Sequence, residues 1–275
     1  MKKIKIITDS TSYITKDFAE KHNISVVKLN YSFDGVEEKE GFPGEFEEFF
    51  YKLANSNLFP TTSQPSTGEF IEVYKKAIDE GYESIIVILL SSKLSGTYSN
   101  AVLAKNMLGD ERITIVDSLQ AATNLRFLVE DALNMIQKGK TKEDIVSHLE
   151  EKKKKMSIFL TVDTLEYLKR GGRLSSIQSI IGDVLNVKPI IMLEDGELKL
   201  LEKVRGKSKA IAAMVKKIPE DVKRISICHV LNEPEALKLK ESLEEKFPDA
   251  KISIDEIGPV IGCHIGPKAI GICFY

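Results

Sequence analysis

Six consecutive apolar residues, Ile85–Leu90, run directly into the segment Ser91–Ala101, SSKLSGTYSNA. The apolar run reads as a buried strand, and Tyr98–Leu108 reads as a helix. A strand that ends in serines, a glycine and a threonine just before a helix start is a place to hold an anion. The first turn of a helix offers free backbone N–H groups and positive dipole character, and Gly96 allows a ligand close approach to the backbone. Ser92, Ser95 and Thr97 add neutral hydroxyl donors. One such hydroxyl alone would be read as an N-cap; several around one glycine read as a binding loop.

The same punctuation recurs along the first half. Lys3–Thr8 reads as a strand followed by Asp9-Ser10-Thr11-Ser12, and Ile113–Val116 as a strand followed by Asp117-Ser118. Helices are predicted at Thr15–His22, Gly44–Ala54, Glu69–Glu80 and Thr123–Gln137, with Ser66 and Glu69 forming a capping box. Strands that alternate with helices predict a doubly wound, mostly parallel α/β domain whose ligand crevice lies beyond the carboxyl ends of the strands. The three hydroxyl-rich loops all sit at such ends.

A four-lysine run, Lys152–Lys155, reads as a solvated helix end, and the domain boundary is placed after it, giving domains 1–155 and 156–275. The second half is patterned as α+β with a mixed sheet. Strands are expected at Ser157–Val162, Lys188–Leu193, Glu197–Val204, Arg224–Leu231, Lys251–Ile257 and Ala269–Tyr275. Asp195-Gly196 marks a hairpin. An apolar helix is predicted at Ser175–Leu185, with further helices at Lys207–Lys217 and Glu233–Phe247. Gly258–Gly271, GPVIGCHIGPKAIG, reads as a glycine-rich connection.

Several function classes are excluded at this level. A net charge of −2 over 275 residues gives no electrostatic case for nucleic acid. No apolar run approaches the roughly 20 residues of a membrane span, so no integral membrane segment is expected. The N-terminus has too short an apolar stretch for a signal peptide, and the expected location is the cytoplasm. Three cysteines, Cys228, Cys263 and Cys273, without CxxC spacing fit a reducing compartment. Neither a zinc spacing nor a dinucleotide or Walker glycine pattern is present, so no metal and no cofactor are expected. Ser95 follows a strand and precedes a helix as a nucleophile does, which keeps a serine hydrolase or acyltransferase as an alternative. The surrounding residues are not GxSxG, and only His264 is placed plausibly as a base. Arg170-Gly171-Gly172-Arg173 offers planar donor forks suited to carboxylate or phosphate.

Ordered motifs along the whole chain then carry a resemblance. They are ITDSTS at 7–12, TSQPS at 62–66, SSKLSGTY at 91–98, VDS at 116–118, TLEYLKRGGRLS at 164–175, KPI at 188–190 and GPVIGCHIGP at 258–267. With them the chain resembles the DegV family of bacterial fatty-acid-binding proteins. The resemblance implies a non-enzymatic carrier that buries one long-chain fatty acid, such as palmitate, between two α/β domains. It implies that Thr62 and Ser95 bind the carboxylate, assisted by the Gly96 backbone, with His264 and Arg173 near the same end. It also implies a possible partner, a fatty-acid kinase that phosphorylates the presented carboxylate, with Lys203–Lys209 as a docking stretch. Two positions depart from the family pattern: Cys263 stands where threonine is expected, and Lys268 where a small residue is usual.

Overall fold

The computed structural model describes residues 3–56, 58–173 and 187–275. In chain order the first half contains β1 (Ile4–Asp9), α1 (Lys16–Lys21), β2 (Ser25–Val27), β3 (Asn30–Phe33), β4 (Val36–Lys39), α2 (Glu47–Asn55), β5 (Thr61–Ser63), α3 (Thr67–Asp79), β6 (Ser84–Leu89), α4 (Thr97–Leu108), β7 (Ile113–Asp117), α5 (Ala122–Gln137) and α6 (Lys142–Lys152). The second half contains β8 (Ser157–Thr161), α7 (Glu166–Arg170), β9 (Val187–Glu194), β10 (Glu197–Arg205), α8 (Lys207–Lys216), β11 (Arg224–His229), α9 (Glu233–Lys246), β12 (Lys251–Glu256), α10 (Pro259–Ile265) and β13 (Ile270–Phe274).

Strands β2-β1-β6-β7 form a parallel four-stranded sheet. Every residue of β6 is buried, as its unbroken apolar run requires in a sheet covered on both faces. Alternate side chains divide between the two faces: Ile7 packs with Phe70, Tyr74 and Ala101 of α3 and α4, while Ile6 packs with Leu125 and Leu128 of α5. A mixed six-stranded sheet has the order β10-β9-β8-β13-β11-β12, with α8 and α9 over one face. The structure is therefore α/β with a parallel sheet and a separate mixed sheet.

Three features differ from the expectations. Strand β5 forms inside the stretch Pro60–Gly68, expected as a two-proline loop, and joins β3 and β4 in a small antiparallel sheet, with Tyr31 paired to Thr62. The stretch Gly258–Gly271, expected as a connection between strands, contains the helix α10, with Pro259 in its first turn. The helix expected from Gly44 begins at Glu47. The helix expected at Ser175–Leu185 lies outside the described residues. At the predicted hairpin, Asp195 and Gly196 both take positive φ, 51° and 81°, the two-residue turn that matches strand twist.

The second face of the six-stranded sheet turns toward the first half. It packs with Tyr31 and Phe33 of β3, Phe49 and Phe50 of α2, and Cys263 of α10 in one buried cluster. Arg126 of α5 meets Asp255 of β12 in a bidentate pair, at 2.7 and 2.8 Å.

Candidate functional site

Of the three hydroxyl-rich strand ends, the one after β1 is turned inward. Asp9 is fully buried and is itself the acceptor its neighbours serve: Thr11 donates to Oδ1 from its backbone N–H at 2.9 Å and from Oγ1 at 2.6 Å. Ser12 Oγ donates to the Asp9 carbonyl, and Ser10 Oγ accepts from the Leu29 N–H. Ser118, after β7, likewise bonds to Gln120. These hydroxyls are committed to the backbone and to a buried carboxylate. The loop after β6 is arranged differently. Leu94 and Ser95 N–H groups close on the Ser91 carbonyl at 3.0 and 3.3 Å. Ser95 Oγ lies 2.9 Å from Thr97 Oγ1 and accepts from the Thr97 N–H at 3.3 Å. Ser91 Oγ donates to the Gly196 carbonyl at 2.7 Å, so the tip of the β9–β10 hairpin is fastened to this loop.

Four of the five sequence-derived site residues surround one hollow. Thr62, Ser95, Arg173 and His264 all line it, with Ser63 and Gln64 as its remaining polar residues. Several of these are held by close contacts to one another or to the neighbouring glycines. Thr62 Oγ1 is 2.8 Å from His264 Nε2. His264 Nδ1 lies against Gly171, where a Cβ would come within 2.1 Å of it. Arg173 donates to the Gly171 carbonyl and, through Nε and Nη2, to the Leu94 carbonyl at 3.1 Å. A Cβ at Gly96 would meet the Gln64 amide at 3.0 Å. Gly96 itself does not line this hollow. It faces an adjoining polar one, where Lys93, Gly172 and Glu197 are added to Ser95 and Arg173.

Burial and the nearby Arg173 charge push the His264 pKa down to about 4, so its imidazole is neutral at neutral pH. Its Nδ1 has no hydrogen-bond partner among the described residues. Placing the proton on Nε2 lets His264 donate to Thr62 Oγ1 and leaves the unprotonated nitrogen at Nδ1, the one without a partner among the described residues. Thr62 is then free to donate its own proton into the hollow.

Away from this polar end the walls are apolar. Leu198 of β10, Leu193 of β9, Ile158 of β8, Cys273 of β13 and Cys228 of β11 line it, so the cavity crosses five neighbouring strands. Four strand spacings correspond to roughly 19 Å. The space free of atoms is about 1010 Å³, part of it open to solvent. Val260, Ile261 and Ile265 of α10 form the opposite wall. At the far end the Cys228 and Cys273 thiols are 3.6 Å apart, and Thr123 Oγ1 is 3.3 Å from Cys228. Gln64 and the two floor cysteines are lining residues that the sequence reading did not single out. Gln64 lies inside the TSQPS motif, whereas nothing in the chain pattern marks Cys228 or Cys273. Among the described residues no group of three or more His, Cys, Asp or Glu is arranged to hold a metal, and no helix is long and apolar enough to cross a membrane.

The model of the DegV family of uncharacterised proteins matches residues 3–275. The chain belongs to the DegV family. It is 38% identical over 279 residues to a DegV domain-containing protein of Caldanaerobacter subterraneus, covering 100% of this chain and 99% of that one. It is 36% identical to protein DegV of Bacillus subtilis, over 98% of each chain. The crystal structure of the Bacillus subtilis DegV, described as a fatty acid binding protein, superposes with a TM-score of 0.90 at 36% identity, covering 100% of this chain and 99% of that one. A Thermotoga maritima protein described as revealing fatty acid binding function superposes with a TM-score of 0.88 at 32% identity, covering 100% of this chain and 99% of that one. A stearic acid-binding protein from Eubacterium ventriosum superposes with a TM-score of 0.88 at 26% identity, covering 98% of this chain and 97% of that one.

Proposed function

We propose that this DegV-family protein binds one long-chain fatty acid in the cavity and carries it with its carboxylate held at the polar end. The observation that carries the reading is the distribution of polarity. Six lining residues are polar, Thr62, Ser63, Gln64, Ser95, Arg173 and His264, and the rest of the wall, down to Cys228 and Cys273, is apolar apart from the thiols. Thr62 and Ser95 are the carboxylate donors, with the Gly96 backbone at the helix start beside them. His264 fixes the Thr62 hydroxyl, and Arg173 supplies positive charge behind it. Fatty acids bound by the Bacillus subtilis and Thermotoga maritima relatives support the ligand class.

The magnitudes favour a long chain. Each buried methylene contributes about 0.8 kcal/mol, so ten contribute about 8 kcal/mol, which is comparable to the cost of immobilising a ligand. The polar hollow around Lys93 and Gly172 leaves the carboxylate end reachable from outside. On this reading the protein is a carrier, not a catalyst, and presents the acid to a kinase that phosphorylates the carboxylate. Residues 1–155 supply the head-group loops and residues 156–275 cover the chain. A reducing compartment, the cytoplasm, suits the three unbridged buried cysteines. The acyl-transfer alternative needs a base on Ser95, but Ser95 bonds to Thr97 while His264 bonds to Thr62.

Extraction of the purified protein followed by mass spectrometry is expected to release a free fatty acid. Thr62→Ala and Ser95→Ala are each expected to weaken palmitate binding by about tenfold, the worth of one hydrogen bond to a charged group. Variants that hold palmitate as tightly as the parent overturn the head-group assignment, and an ester adduct on Ser95 overturns the carrier reading.

A further inference from the structure

The head-group loop is gripped from both sides by carboxylates of the neighbouring strands. In the order β1-β6-β7, β6 lies between two strands that each end in aspartate. Asp9, at the end of β1, accepts from the Leu90 N–H through Oδ2 at 2.8 Å. Asp117, at the end of β7, accepts from the Ser92 N–H through Oδ1 at 3.1 Å. The same Asp117 oxygen accepts from the Leu119 N–H at 3.1 Å and so holds Leu119 in a left-handed conformation, φ 51°. Around Ser92 the chain folds into the turn that closes on the Ser91 carbonyl and ends at Ser95.

We propose that Asp117, with Asp9 opposite it, is a positioning residue for carboxylate recognition. Neither aspartate lines the cavity, so neither touches the ligand. Asp117 acts through the Ser92 N–H on the angle at which the Ser91–Ser95 turn delivers the Ser95 hydroxyl. It also ties that turn to the Leu119–Ala122 segment, whose Ala121 and Ala122 line the acyl cavity. A single acceptor oxygen therefore sets the head-group donor and a piece of the apolar wall in register. The backbone N–H groups of Leu90 and Ser92 are consumed by these protein acceptors and so take no part in recognition. The inference rests on the carboxylate-binding reading of Ser95.

The test compares hexadecanoic acid with its methyl ester, both measured by displacement of a fluorescent fatty acid. The ester keeps the chain and removes the charge. Asp117→Ala is expected to lose about five- to tenfold in affinity for the acid, the worth of one misplaced hydrogen bond, while its affinity for the ester stays that of the parent. Asp117→Asn keeps an acceptor oxygen and is expected to retain the parental preference for acid. Acid and ester weakening together in Asp117→Ala would show general loosening of the fold and overturn the proposal. So would an unchanged acid affinity, or an Asp117→Asn protein as impaired as Asp117→Ala. Ser95→Ala distinguishes the two levels. A parent whose preference for acid disappears in Ser95→Ala but survives in Asp117→Ala retains the head-group site and loses only the positioning role. A parent with no preference for acid over ester refutes both.

Discussion

Burial moves the protonation of three side chains around the cavity in opposite senses. It pushes His264 down to about 4, aided by Arg173, and it pushes Asp9 up to about 6 and Glu40 up to about 7. Glu40 is fully buried; Oε1 accepts from the Val260 N–H at 2.8 Å, and Oε2 has no partner among the described residues. Between pH 4.5 and 7 the folded protein keeps a proton on Glu40 that the unfolded chain has released, so this group's contribution to stability falls as pH rises through that window. Asp9 acts in the same sense between 3.8 and about 6. His264 acts in the reverse sense: its contribution is complete above 6.5 and is lost as pH falls toward 4. Glu40→Gln cannot ionise, so its stability relative to the parent is expected to increase as pH rises from below 4.5 to above 7. Urea unfolding at both ends of the range measures it, and a constant difference between the two proteins would contradict the assignment of that slope to Glu40.

At the scale of elements, what was legible in the chain followed from periodicity, and what was not depended on partners far away in sequence. The β6 run, the capping box at Ser66 and Glu69 and the Asp195-Gly196 turn are local signals, and each appears where its residues predict. Helix α10 is short and carries Gly262 inside it, so the glycine density of its stretch outweighs the helix-start signal of Pro259. Its first turn is stabilised by Glu40, whose carboxylate takes the Val260 N–H from 220 positions away. Strand β5 depends in the same way on pairing with β3. The hydroxyls after β1 misled for a related reason: sequence cannot distinguish a hydroxyl offered to a ligand from one that satisfies a buried carboxylate such as Asp9. Thr62, Ser95, Arg173 and His264 were legible as joint candidates through family motifs rather than through spacing, and the structure places all four around one hollow, whose apolar floor was not legible. Helix α10 ends at Gly266, with φ 73° and ψ 175°, a region open to glycine and strained for other residues, and a Cβ there would lie 2.4 Å from the Tyr167 ring. Gly266→Ala is expected to cost about 2–4 kcal/mol, the sum of backbone strain and displaced packing. A chemical denaturation midpoint equal to the parent's would contradict this account of how the helix is terminated.

At the scale of the whole molecule, a polar seam between α5 and the six-stranded sheet helps to join the two halves. Arg126 and Asp255 form their bidentate pair with both side chains about 15% exposed, at 15% and 14%. Ser253 Oγ also donates to the Asp255 carboxylate, at 2.9 Å. Removing Asp255 leaves the buried Arg126, among the described residues, with only the longer 3.5 Å ion pair to Glu130, so Asp255→Ala is expected to destabilise by about 3 kcal/mol. A loss below about 1 kcal/mol, the range of solvent-exposed pairs, would mean that the seam is hydrated and weak. The position of β13 in the six-stranded sheet has a consequence for timing. This strand sits between β8 and β11, and it supplies Gly271 and Cys273 to the cavity, shortly after α10 has supplied His264. A nascent chain emerging from the ribosome has its Thr62 and Ser95 long before it has a floor or a back wall. On the proposed reading, the cavity is completed, and the protein can be charged, only after synthesis has passed Phe274, and trimming that final strand is expected to empty it.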